Sequence, residues 1–420
     1  MIKNIDNYFI LTSSYLLYFL PFALLTGPFV ADLIIIIIDI LFIFLILRNR
    51  DFSYFNNYYS YILILFNLYL IISSIASEYT LFSLESSLVY FRFYLFSLAV
   101  FFLIDKDSKI IKNFGIYLFL SILIATSDGY YQYIFGNNIF GISPEFPNRM
   151  TLLLSDKSYL GGYISRLFPL LVAIFLFNSM SGKSSFLKSK YIIISIFIIL
   201  IDVLLFLTGE RTAFVLQLIT TVALLLFLSK YKYLRLFTFL ISIILIITIT
   251  NTNNDVKERN VDQTIEQLNL GNGFQKINAF STIHEGYFAH SIEVFKKNIF
   301  TGSGPNTFRK TCAEVKKINE CSTHPHNNYI QIISETGVLG LAIILLMILP
   351  IFIFFSKKFY YIFTRSIKVS DYQTALMICI FLSIFPLLPT QNFFNNYINI
   401  IYFLPVGFLL HSFKINKKDR

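Results

Sequence analysis

The chain is dominated by apolar runs long enough to cross a lipid bilayer. A helix rising 1.5 Å per residue needs about 20 mostly apolar residues to span the hydrocarbon layer. Such runs recur through 420 residues, of which 56% are hydrophobic and only 14% charged. That balance departs from soluble globular proteins. We therefore expect an all-α, polytopic helical membrane protein. About twelve spans are legible, near 8–26, 29–47, 58–76, 84–104, 110–126, 159–177, 191–208, 212–228, 236–251, 338–355, 375–388 and 397–413. Gly27-Pro28 reads as a turn between the first two, which could otherwise form one re-entrant pair. Pro386 and Pro389 break the shortest. Only Lys3 precedes the first apolar stretch and no small-residue cleavage site follows, so that stretch reads as a retained span, not a signal peptide.

Lysine and arginine set the orientation. With both termini cytoplasmic, the inside segments carry twenty basic residues, whereas the short outside loops carry only Arg149, Lys157 and Arg211. The net charge of +10 is mostly this inside-loop lysine and gives no argument for nucleic acid. Three regions follow: residues 1–251 with spans one to nine, an outside loop domain over 252–325, and residues 326–420 with spans ten to twelve.

Within the loop domain, 251–273 reads as loop with little regular structure. Residues 283–298 read as an amphipathic helix whose apolar side (Ile283, Tyr287, Phe288, Ile292, Phe295) suits a membrane interface, and it carries His284. Thr301-Gly-Ser-Gly-Pro-Asn306 is a tight turn whose glycines would let backbone N–H groups approach a phosphate, with Arg309 and Lys310 following. Cys312 and Cys321, eight residues apart in the interval between them, suggest a disulfide in an oxidising compartment, closing a short loop worth roughly 2–3 kcal/mol. Zinc held by Cys312, Cys321, His324 and His326 is the competing reading, but the spacing fits no standard zinc pattern.

The polar segment Thr323-His-Pro-His-Asn-Asn-Tyr-Ile runs into an apolar one. Pro325 suits the first turn of a helix. On that helix His326, Ile330, Ile333, Gly337 and Gly340 would share one stripe, and Asn328, Gln331 and Glu335 another. An imidazole near a helix N-terminus sits where anions also bind; the plainer reading is a helix cap with a solvated histidine. Thr208-Gly-Glu-Arg-Thr is the whole outside connection between two spans. Arg211 there runs against the topology bias, and its planar fork suits phosphate or carboxylate, unless Glu210 and Arg211 merely pair. Arg166, two turns into a span, needs a partner or a hydrated cavity, or snorkels outward. Asp32 and Asp39 share a face of the second span, and Glu85 and Arg92 could pair across two turns of the fourth. No GxxxxGK[ST], GxGxxG or HExxH pattern and no internal repeat is present.

The His-Pro-His-Asn-Asn-Tyr-Ile segment with Glu335-Thr-Gly-Val-Leu-Gly resembles the signature of the O-antigen ligase and polymerase family of bacterial membrane glycosyltransferases. Gly209-Glu-Arg-Thr-Ala-Phe resembles that family's arginine region, and Gly302-Ser-Gly-Pro-Asn-Thr-Phe-Arg309 its glycine turn. The resemblance covers about 152–341. It implies an enzyme of the inner membrane working at the periplasmic face. Its donor is an oligosaccharide on undecaprenyl pyrophosphate, and its acceptor is lipid A core (ligase) or another lipid-linked repeat unit (polymerase), with no metal or cofactor. By resemblance His326 is the base and Arg211 holds the pyrophosphate; Glu210, His324, Asn327 and His284 complete the set expected to touch pyrophosphate or acceptor. Family members often carry an arginine where this chain has His284, so Arg309 or Arg166 is expected to supply the second cation. Ligase stands ahead of polymerase, and a lipid-oligosaccharide transporter is the reading from another class.

Overall fold

The computed structural model describes residues 2–146, 149–178, 184–229, 232–269, 280–314, 322–364 and 370–418. Among them every regular element is helical. The long helices are α1 (Ile2–Thr26), α2 (Pro28–Asn49), α3 (Tyr58–Ile75), α5 (Phe91–Lys106), α6 (Lys109–Phe135), α7 (Leu160–Asn178), α8 (Ser184–Leu207), α9 (Arg211–Phe227), α10 (Lys232–Thr252), α13 (Thr282–Lys297), α15 (Asn328–Thr364), α16 (Asp371–Ser383) and α17 (Asn396–Lys418). Short helices α4 (Thr80–Ser87), α11 (Asn254–Lys257), α12 (Gln263–Gln267) and α14 (Phe308–Glu314) complete the set.

Nine of these, counting α4 and α5 as one span, are long and apolar enough to cross a membrane among the described residues. Shorter apolar helices, 192–207 within α8, α9 and α16, stand where the other three spans are expected. Gly27, at φ 119°, separates α1 from α2, with Pro28 at the first helical position. The eleventh span is shorter than expected: α16 ends at Ser383, because Pro386 disfavours helical backbone at the residue before it. Helix α7 is buried on nearly all sides against α6, α9 and α16, an all-round apolar helix of the kind that forms a bundle centre.

Several intramembrane polar side chains pair between helices, whereas the buried Asp39 carboxyl of α2 has no hydrogen-bond partner among the described residues. Arg92 pairs with Asp32 at 3.0 Å, and Asn396 donates to the same carboxylate, so of the two readings for Glu85 and Arg92, mutual pairing or facing a cavity, the pairing does not form. Asp202 of α8 accepts from Gln217 of α9 and Ser242 of α10, each at 2.8 Å, and ties these three helices together.

Two expectations need correction. Residues 254–267 are not irregular: α11 runs through a π-turn over Glu258–Asp262 into α12. And α15 is not one straight helix, because Gly337 adopts φ 66°, ψ −170° inside it. The break exposes backbone groups that the preceding turn takes up: Ser303 N–H donates to Ser334 O (3.0 Å), Gly304 N–H to Glu335 O (2.8 Å), and Val338 N–H to Ile299 O (2.8 Å). Tyr69 of α3 donates its hydroxyl to Phe300 O and Thr336 O and clamps both strands of this junction.

Candidate active site

The connections α6–α7, α8–α9, α10–α13, α14–α15 and α16–α17 gather at one end of the bundle and enclose a cleft of ≈ 480 Å³. Its walls include Arg149, Glu210, Arg211, Arg259, His284 and His326. Arg211 and His326, some hundred residues apart in sequence, thus line the same space.

One wall is histidine. His326 precedes α15 and is not on it: its φ of 59° is left-handed, and the helix starts at Asn328 with Asn327 as its cap. Asn327 Oδ1 accepts from Tyr329 N–H (3.0 Å) and Ile330 N–H (3.2 Å), while its amide donates to Pro386 O. So the shared helical stripe expected for His326 does not exist, and Asn327 is a capping residue. Thr390 braces the segment from the far side: its N–H donates to His326 O (2.7 Å), and His324 Nε2 lies 3.1 Å from its carbonyl. A carbonyl only accepts, so His324 is the Nε2–H tautomer and its Nδ1 takes the Thr323 hydroxyl proton (3.0 Å). His324 is buried behind the cleft with its ring 4.1 Å from that of His326. His284 of α13 stands perpendicular to His326 at 5.2 Å, and Tyr287 stacks on it at 5.8 Å. Burial and the two neighbouring imidazoles push His326 down to about 3; burial likewise takes His324 down to about 4 and lowers His284. All three are neutral at physiological pH.

The opposite wall is cationic. Arg211 donates to Thr264 Oγ1 and Gln267 Oε1, both at 2.9 Å, and Arg259 donates to Gln263 Oε1 (2.7 Å) and Gly209 O (3.3 Å). Arg149 lies over the Phe146 ring at 5.1 Å. These partners are neutral, and among the described residues none of the three guanidiniums has a carboxylate within ion-pair distance. Burial and the other two arginines lower Arg259 to about 10, the signature of positive charges held together without a counter-ion.

Glu210 does not pair with Arg211. Its carboxylate accepts from Gly161 N–H (2.7 Å) and Gly162 N–H (3.1 Å) at the start of α7. A side chain at Gly161 would collide with the Ala213 Cβ and crowd the Glu210 carboxylate, whereas one at Gly162 would only press on the end of Arg166. Burial raises the Glu210 carboxyl to about 7, against the two N–H groups, Arg166 and Arg149. Arg166 is itself buried behind Glu210, donating to Gly162 O (3.1 Å), and does not line the cleft.

The glycine turn is filled from within. Glu335, fully buried, accepts from Asn306 N–H (3.0 Å), Phe308 N–H (2.8 Å) and the Gln331 amide (3.0 Å). The backbone donors read as a phosphate cradle therefore hold an internal carboxylate. Arg309 is exposed beside this turn, 5.8 Å from the Phe82 ring and donating to Asn306 Oδ1, and is not among the cleft residues. Cys312 is disulfide-bonded and Cys379 is free and buried, whereas Cys321 lies outside the described residues. A disulfide sulfur is not a thiolate ligand, which removes the zinc reading. Among the described residues no group of three or more His, Cys, Asp or Glu is placed to hold a metal ion.

Arg149 and Arg259 are the site residues that sequence reasoning passed over. Arg149 carries the same signal as Arg211, an arginine on the side of the chain poor in them. Arg259 was hidden because 254–267 offers no apolar stripe to mark it as helix. No curated protein matches the chain. Residues 194–345, which carry Arg211, Arg259, His284, Arg309 and His326, match the family model described as O-Antigen ligase.

Proposed function

We propose that the chain is a periplasm-facing glycosyltransferase that moves an oligosaccharide from undecaprenyl pyrophosphate to an acceptor hydroxyl, with lipid A core as the acceptor. The observation that carries this reading is one cleft with three guanidiniums that have no carboxylate partner among the described residues on one wall and a neutral imidazole on the other. Arg211, with Arg149 and Arg259 in place of the second cation expected at Arg309 or Arg166, holds the pyrophosphate. His326 takes the acceptor proton as the acceptor oxygen bonds to the anomeric carbon. The bond from that carbon to the pyrophosphate oxygen breaks, and its electron pair leaves on undecaprenyl pyrophosphate, where the arginines stabilise it. No step calls for a metal. A base held near pH 3 is weak, but the incoming pyrophosphate lies close to the imidazole, and a nearby anion favours its protonated form.

Polymerisation of lipid-linked repeat units uses the same chemistry; the description of the matching family favours ligation. A transporter would keep its main ionisable groups at mid-membrane, whereas Arg211 and His326 here line a cleft among the connections at one end of the bundle.

A deletion strain separates these readings on a lipopolysaccharide gel. Core without repeat units is expected for a ligase and core with a single repeat for a polymerase; an unchanged ladder would overturn both. Complementation with His326→Ala is expected to leave the defect in place, by roughly 10²–10⁴-fold lost rate, and a full ladder would remove His326 from the role of base.

The raised Glu210 carboxyl gives a pH signature. Below about pH 7 it is neutral, and above it the carboxylate cancels part of the arginine charge. His324 and His326, at about 4 and about 3, and Arg259, at about 10, do not change charge between pH 6 and 8, and His284, lowered by burial, is common to both proteins compared. Inorganic pyrophosphate should therefore bind more tightly at pH 6 than at pH 8 relative to Glu210→Gln, by roughly fivefold. Equal pH dependence in the two proteins, measured by calorimetry, would show that Glu210 does not act on the anion site.

A further inference from the structure

A second cleft adjoins the first and has no part in the chemistry above. It encloses ≈ 560 Å³ between the ends of α6, α8 and α10 and the α11 turn, and Arg149 and Arg259 line both clefts. The two guanidiniums thus form a shared partition. Beyond them the lining changes character: no histidine is present, and Tyr133, Asn253, Asp255 and Asn260 line the space.

These groups are set out as hydroxyl binders. Tyr133 is 40% exposed and its hydroxyl accepts from the Asn253 amide at 3.0 Å, which presents the ring edge and an amide together. Asp255 is exposed and forms no ion pair among the described residues, despite lying on the same wall as two arginines. The Asn260 amide is fixed by donation to Phe206 O (3.0 Å), which leaves its carbonyl oxygen as an acceptor of known orientation. The Arg259 Nε atom is buried without a hydrogen-bond partner at the partition, and a buried unmet donor is costly unless a ligand completes it. Carboxylate, amide and guanidinium groups around a polar space match the donor and acceptor pairs of vicinal sugar hydroxyls, and an exposed aromatic ring offers them an apolar face. A second phosphate is disfavoured there by the Asp255 carboxylate.

We infer that this second cleft is a saccharide subsite that holds part of the glycan while its phosphorylated end, or its reaction partner, occupies the first. The source of the sugar, donor oligosaccharide or acceptor glycan, follows from the transferase reading; the presence of a sugar site does not.

The test uses the full chain in nanodiscs and saturation-transfer NMR. Two lipid-free probes are compared, each released by mild acid: repeat-unit oligosaccharide from its pyrophosphate-linked lipid precursor, and core oligosaccharide from lipopolysaccharide. Transfer to one of them is expected, and which one identifies the donor or acceptor as the source. Tyr133→Leu/Asp255→Ala should weaken the signal by about thirty- to hundredfold, since two or three hydrogen bonds near 1 kcal/mol each are lost. Asp255→Lys, at an exposed position that tolerates bulk, should do the same, and Arg211→Ala should leave the signal in place. No transfer from either probe, or equal transfer in wild type and Asp255→Lys, would overturn the subsite. Sugar binding that persists in a chain without transferase activity would sink the proposed function and leave the subsite standing.

Discussion

Arg211→Ala is expected to lower the rate of oligosaccharide transfer by about 10³-fold while leaving the amount of protein in the membrane unchanged. The first half follows from where charge develops. As the anomeric bond breaks, a pyrophosphate oxygen gains negative charge, and a guanidinium already oriented by Thr264 and Gln267 meets it without reorganising. The second half follows from what Arg211 does not do. It neutralises no carboxylate among the described residues, so its removal strands no buried charge, and the loss of two hydrogen bonds to neutral partners costs little in a helical bundle of this size. Arg211→Lys should fall between, because an ammonium keeps the charge and loses the fork. The check is a purified-component assay with lipid-linked donor. A wild-type rate in Arg211→Ala would sink the pyrophosphate assignment, and a rate loss matched by lost protein would make Arg211 structural.

Gly337→Val is expected to abolish accumulation of folded protein. At φ 66°, ψ −170° the backbone is in a region essentially confined to glycine, worth about 1–3 kcal/mol of strain for any other residue. A side chain there would also run into the Phe300 carbonyl, with no flexible group to give way. Moving that carbonyl loosens the Tyr69 hydroxyl, the Val338 N–H and the whole turn seated on the break. Losses of this kind reach a large share of a stability of about 5–15 kcal/mol. Gly286→Ala is the comparison: an added Cβ at this α13 position meets nothing within 4 Å, so that variant should unfold at the wild-type temperature. Detergent-solubilised thermal unfolding reads both. A Gly337→Val protein that accumulates and melts like wild type would mean the break in α15 is not required.

The bundle was legible because apolar length is a property of the sequence alone. The turn at Gly27-Pro28 and helix α13 were legible for the same reason, since each rests on local residue chemistry. The site was legible as a set of residue types and illegible as a geometry. His326 looked helical because Pro325 and the apolar spacing after it suggest a helix start, yet Asn327 offers a better cap and Thr390 holds the preceding carbonyl, so tertiary contacts move the start by two residues. The glycine turn looked like a phosphate cradle because its free N–H groups are visible in the sequence, whereas the Glu335 carboxylate that fills it comes from a distant helix. Arg166 looked like a neighbour of a substrate but sits behind the cleft, and Glu210 lines the cleft while its carboxylate also holds the start of α7. Arg149 and Arg259 required the fold, since the α6–α7 connection brings the one and the α10–α13 connection the other to Arg211.

The arginine wall has a consequence for turnover. Three like charges facing one another in an empty cleft oppose folding, and an anion that relieves them is favoured by the same amount, so occupancy and heat resistance rise together. On the proposed function, that attraction would not distinguish the arriving donor from the spent carrier, since both would present a pyrophosphate. A machine built this way would capture its lipid readily and surrender it reluctantly, and the slow event in its cycle would move from making the sugar bond to letting go of the empty lipid.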